Sequence, residues 1–132
     1  MKILVADDDP IIRKLLGEVL THDGHEVSAV ADGAQAIREA QKQEFELFFS
    51  DVHMPVMNGL ETVRAMRSLY PHLPVVMMDS YPDQLANQAK REGALVCIHK
   101  PFDLEEIRNV IERVRKLACQ ESLCVPDISP KA

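Results

Sequence analysis

The chain reads as one α/β domain, a five-stranded parallel sheet with helices on both faces. Three observations predict this. Short apolar, β-prone runs alternate with stretches whose apolar residues repeat at helical spacing, five of each. Strict alternation implies right-handed crossovers and therefore parallel neighbours. A length of 132 residues supports one ordinary domain with a real core, and not two.

The elements follow in order. Ile3 to Ala6 is a short apolar run closed by acids. Pro10 suits the first turn of a helix, with Asp8 or Asp9 as its cap and Ile11, Leu15, Leu16, Val19 and Leu20 as its stripe. Asp23-Gly24 ends that helix, Glu26 to Val30 is the second strand, and Asp32-Gly33 turns into a helix marked by Ala34, Ile37 and Ala40. Phe45 to Ser50 is the third strand, and a loop through Gly59 leads to a helix from about Leu60 to Leu69. Pro74 to Met78 is the fourth strand, Pro82 opens a helix to about Glu92, and Gly93 terminates it. Leu95 to Ile98 is the fifth strand. Asp103 caps a last helix whose Ile107, Val110, Ile111, Val114 and Leu117 share one face. From about Gln120 the chain turns polar, so residues 1–118 are read as the domain and 119–132 as a tail or the start of a linker.

The polar residues fall where such a sheet would converge them. Asp7-Asp8-Asp9 follows the first strand, Asp51 the third and Lys100-Pro101 the fifth. The carboxyl edge of a parallel sheet is where α/β proteins place their sites, and an order 2-1-3-4-5 of flavodoxin-like type sets strands one and three side by side. Crowded carboxylates call for a hard divalent cation with oxygen ligands, Mg²⁺ above all, with Mn²⁺ as a substitute. A lysine opposite can pair with an anion attached there. The pattern reads as a Mg²⁺-dependent aspartyl-phosphate switch.

Composition narrows the setting. A net charge of −6 without a Lys/Arg run argues against direct nucleic-acid contact by this chain. No apolar stretch has the length of a membrane span and no signal-peptide pattern opens the chain, so the expected location is cytoplasmic. Cys97 lies in an apolar run as a small hydrophobe. Cys119 and Cys124 stand near the end, with a disulfide or half a metal site as the minority readings.

Four segments in order, Ile3-Leu4-Val5-Ala6-Asp7-Asp8-Asp9, Ser50 through Gly59, Gly93-Ala94 and Lys100-Pro101-Phe102-Asp103, give the chain its family likeness. Over residues 1 to about 118 it resembles the CheY-like receiver (response-regulator) domain of two-component signalling, most of all single-domain phosphorelay receivers and those of enhancer-binding regulators. The resemblance implies that Asp51 accepts a phosphoryl group from a histidine kinase or phosphotransfer protein. It implies that Asp8 and Asp51 ligate Mg²⁺ with the His53 backbone carbonyl, and that Asp7 acts mainly through water. Lys100 then pairs with the phosphoryl oxygens, and the Lys100–Pro101 peptide bond is expected to be cis. Helix four, strand five and helix five form the implied surface for a dimer partner or output domain, with Asp83, Lys90, Arg91, Glu105 and Arg108 as polar handles.

Two positions depart from the family pattern. Counting from Asp51 puts Asp79 where receivers carry Thr or Ser, and an ionised carboxylate accepts hydrogen bonds but cannot donate one. Cys97 stands where many receivers carry an aromatic switch residue. His99, beside Lys100, reads as a rim side chain. The expectation is a phosphoacceptor signalling domain, limited as an enzyme to its own phosphoryl transfer and autodephosphorylation, with an altered readout. Two readings of other classes stand beside it: a phosphorylation-independent pseudo-receiver module, and an aspartyl-phosphate phosphohydrolase. The latter lacks the second acid after its nucleophile and the length for a cap domain.

Overall fold

The computed structural model describes the backbone of residues 1–79 and 84–128, and their side chains except those of 86, 90 and 118–128. Residues Met1–Pro101 form one unit and the helix beyond Phe102 a second. The first unit holds β1 (Lys2–Ala6), α1 (Pro10–His22), β2 (Glu26–Val30), α2 (Gly33–Lys42), β3 (Leu47–Asp51), α3 (Gly59–Leu69), β4 (Val75–Asp79), α4 (Gln84–Arg91) and β5 (Val96–His99). All neighbouring strands are parallel, in the order β2-β1-β3-β4-β5. The expected α/β sheet and its order are therefore present.

Strand alternation sorts the core. Leu4, Ala6, Phe48, Val75 and Met77 point to one face, where they pack with Ala36 and Ala40 of α2, Val63 and Met66 of α3, and Ala89 of α4. Ile3, Val5 and Phe49 take the alternate positions, and α1 lies against β1 and β2 with Leu16 and Leu20 fully buried. The interior strands β3 and β4 are buried at every position, whereas the edge strands β2 and β5 are partly exposed. A strand covered on both faces has no solvent side on which to place polar residues, so it reads as a continuous apolar run.

The helix starts are fixed by short polar side chains. Asp9 Oδ1 accepts from the Ile11 amide at 2.9 Å and Asp32 Oδ1 from the Gln35 amide at 2.8 Å. Asn58 and Glu61 form a reciprocal capping box at 2.9 and 3.0 Å, which begins α3 at Gly59. Each such cap contributes about 1 kcal/mol.

The second unit is α5, Leu104–Ile128, begun by a reciprocal pair between Asp103 and Glu106. Its buried positions, Ile107, Val110, Ile111 and Val114, form one stripe at helical spacing. The helix continues ten residues beyond the boundary expected at 118. The side chains of Cys119 and Cys124 lie outside the described residues.

Candidate functional site

Sheet order creates the site. Ala6 pairs with Ser50 across β1 and β3, so the residues that follow, Asp7 and Asp51, leave the sheet side by side. Asp8 comes with Asp7 at the same edge. A carboxylate oxygen from each of Asp7, Asp8 and Asp51 lies within 4.8 Å of the other two. Asp7 is fully buried, Asp51 is 5% exposed and Asp8 faces solvent. A cavity of about 620 Å³ opens over them, lined by Asp8, Asp9, Ile12, Asp51, His53, Lys100 and Pro101.

The loop after β3 is held close. Gly59 donates to the Val52 carbonyl at 2.8 Å, and a Cβ there would stand 2.5 Å from the Asp51 carbonyl oxygen. Only glycine permits that approach. Within the same loop Val56 has φ 68°, a left-handed conformation unusual for a β-branched residue, and its side chain is 82% exposed.

Lys100 is the cation of the cluster. Its Nζ donates to Asp7 Oδ2 at 2.6 Å and lies 3.4 Å from Asp51 Oδ1. The Asp9 amide donates to Asp7 Oδ1 at 2.9 Å, so both Asp7 oxygens are engaged. Arg13 Nη1 donates to the Asp7 carbonyl at 2.7 Å and ties α1 to the end of β1. The peptide bond between Lys100 and Pro101 is cis.

Electrostatics follow from this crowding. Burial, and then the charge of Asp7, push the Asp51 carboxyl up to about 7 against the opposing pull of Lys100. Burial is the largest single influence on Lys100 and lowers it. The hydrogen bond to Asp7 and the charges of Asp51 and Asp7 together outweigh burial, and its pKa ends above the ordinary value. A buried acid that stays half-protonated near neutrality is a site with too few cations. Hard carboxylate oxygens, converging on an open cavity, fit Mg²⁺.

Asp79 ends β4 but its carboxylate turns to β5. It accepts from Cys97 Sγ at 3.2 Å and is hydrogen-bonded with His99 Nδ1. The sequence reading took Asp79 and Cys97 as atypical switch positions and His99 as a rim side chain beside Lys100; the structure brings these three together, Asp79 and His99 as partners in the β4–β5 register. Among the partner-surface handles, Arg91, Glu105 and Arg108 are exposed. Asp83 and the Lys90 side chain lie outside the described residues.

A parallel sheet of this order, with acids at the ends of its first and third strands and a lysine after its fifth, defines a class of signalling domain. The family model of the response regulator receiver domain matches residues 3–112, and the chain belongs to that family. It is 34% identical over 113 residues to sporulation initiation phosphotransferase F of Bacillus subtilis, covering 85% of this chain and 91% of the relative. It is 35% identical to the response regulator protein FleR of Pseudomonas aeruginosa over 85% of this chain, but spans only 24% of FleR. Among solved structures, chemotaxis protein CheY4 of Vibrio cholerae superposes with a TM-score of 0.79 at 37% identity, over 86% of this chain and 97% of CheY4. The receiver domain of NtrX from Brucella abortus gives 0.80 at 32% identity, over 85% and 96%. No helix among the described residues is long and apolar enough to cross a membrane.

Proposed function

We propose that the domain, residues 1–118, accepts a phosphoryl group on Asp51 from a histidine kinase or phosphotransfer protein, in the cytoplasm, and signals through protein contacts. The observation that carries this reading is the buried, cation-poor carboxylate of Asp51 beside Asp7, Asp8 and Lys100. An oxygen of Asp51 forms the new O–P bond as the donor's N–P bond breaks, and the donor imidazole leaves. The ionised carboxylate is by far the better nucleophile, so a cation must first offset its neighbours. Asp8 and Asp51, with the His53 backbone carbonyl, would hold Mg²⁺, and Asp7 would contribute through water. When bound, Mg²⁺ neutralises charge on the transferring phosphoryl group.

Lys100 does the rest from the protein side. Its ammonium already sits between Asp7 and Asp51, and it can turn to phosphoryl oxygens with little movement. The resulting mixed anhydride is labile to water, which supplies autodephosphorylation. Exposed apolar residues stand next to cavity-lining ones: Ile11, 73% exposed, precedes Ile12, and Val56 follows His53 by three positions. They suit a protein donor that must exclude water during transfer. The second contact surface is assigned to the α4 and β5 side.

The readout is proposed to be atypical. Asp79 and Cys97 occupy the positions of a hydroxyl donor and an aromatic lever, and they bond to each other. That same lock supports the alternative reading, a phosphorylation-independent interaction module. Incubation with acetyl phosphate and Mg²⁺ followed by intact mass measurement separates the two. The phosphoacceptor reading expects a one-phosphoryl mass gain in the wild type and none in Asp51→Asn. No gain in either favours the module.

A further inference from the structure

At the carboxyl ends of β4 and β5, a buried carboxylate is held by two side chains of the neighbouring strand. Asp79 is 1% exposed. Asp79 and His99 are register partners, and Met77 pairs with Cys97 one step earlier on the same face. Alternation therefore sends Cys97, Asp79 and His99 to one side of the sheet, where His99 Nδ1 and Cys97 Sγ each donate to one oxygen of Asp79. The Lys100 amide also donates to the Asp79 carbonyl at 2.6 Å, which ties the strand ends together.

The two donors are unequal. A thiol is a weak donor and an imidazole N–H a strong one, so His99 dominates the hold on Asp79. Without it, the carboxylate is left buried and short of a partner, which is costly, and it must turn to polar surroundings. The acid pocket lies at the same sheet edge. Asp51 pairs with Met78, so Asp79 is the next residue along β4 from the partner of the acceptor.

We propose that His99 is a positioning residue for phosphoryl transfer: it holds the Asp79 carboxylate over β5, so that the acid pocket presents three carboxylates to its cation and phosphoryl group rather than four. The proposal rests on reading Asp51 as the acceptor. It explains how a chain with an acid at this position keeps a usable pocket. The side chain of His99 is 68% exposed, so its replacement leaves the core intact.

A double-variant cycle tests it with two readouts, on wild type, His99→Ala, His99→Gln, Asp79→Asn and His99→Ala/Asp79→Asn. The first readout is Mn²⁺ affinity by paramagnetic titration, which needs no phosphorylation. The second is the initial rate of phosphorylation by acetyl phosphate at fixed Mg²⁺ and pH. His99→Ala is expected to bind Mn²⁺ several-fold more tightly, because the freed carboxylate adds charge facing the ion. It is expected to phosphorylate several-fold more slowly, because the same charge repels the incoming dianion. His99→Gln, whose amide still donates, should behave as wild type, and Asp79→Asn should abolish both effects of His99→Ala. Equal Mn²⁺ affinity in wild type and His99→Ala overturns the proposal. So does a change in His99→Ala that persists in the double variant, which would mean that His99 acts on β5 and not through Asp79. If wild type takes up no phosphoryl group, the acceptor reading fails, and the Mn²⁺ cycle still decides whether His99 holds Asp79 out of the pocket.

Discussion

Without a divalent cation, Asp51 should oppose folding at neutral pH, and by an amount that can be worked out. Its carboxyl is raised from 3.8 to about 7 by burial and then by Asp7. The folded protein therefore favours the protonated form relative to the unfolded chain. The associated stability is fully present below the unfolded value, falls as pH rises from about 4, and is gone above about 7. A shift of roughly three units at 1.36 kcal/mol each makes the swing about 4 kcal/mol. Asp51→Asn has no proton to lose. Its stability relative to wild type should rise by about 4 kcal/mol between pH 4 and pH 8. Urea denaturation of both proteins across that range, with chelator present, measures the difference, and the other titrating carboxylates largely cancel in it. Mg²⁺ should shrink the difference at high pH by binding the ionised wild-type site. Parallel stability curves for the two proteins would refute the reasoning, because they would mean that Asp51 titrates alike folded and unfolded.

Three further outcomes are expected. Millimolar Mg²⁺ should raise the melting temperature of wild type much more than that of Asp8→Asn; saturation at a hundred times the dissociation constant corresponds to about 2.7 kcal/mol. Val56→Gly should stabilise the protein by about 1 kcal/mol in chemical denaturation, since glycine relieves a left-handed conformation that costs a β-branched residue that much. Asp79→Thr should enlarge the NMR shift changes caused by beryllofluoride, because a hydroxyl can donate to a phosphoryl mimic and the carboxylate locked on His99 cannot. Equal shifts in the two proteins would show that position 79 is not part of the readout.

Much of this was legible in the sequence because it depends on local pattern. The apolar runs place the strands, and the acids and lysine that follow them land at one edge by topology alone. Asp9 as a helix cap needed only its position before Pro10. What was not legible depends on pairing register and on competition between partners. Nothing in the composition says that His99 lies opposite Asp79, because the two are twenty residues apart and a one-residue slip would turn His99 to the other face. Nor does the sequence reveal that Lys100 sits closer to Asp7 than to Asp51, since that depends on the packed side-chain geometry. Nor does composition show that the last helix runs on into the polar segment after 118, because polar residues are compatible with a helix and with a tail alike.

The central claim is that one particular carboxylate, Asp51, takes the phosphoryl group. Borohydride reduces an acyl phosphate to the alcohol, so a phosphorylated aspartate becomes homoserine. Protein treated with acetyl phosphate and Mg²⁺, then reduced and mapped by peptide mass spectrometry, should carry homoserine at position 51, with Asp7, Asp8 and Asp79 intact. Homoserine at one of those other positions, or at none, would contradict the account.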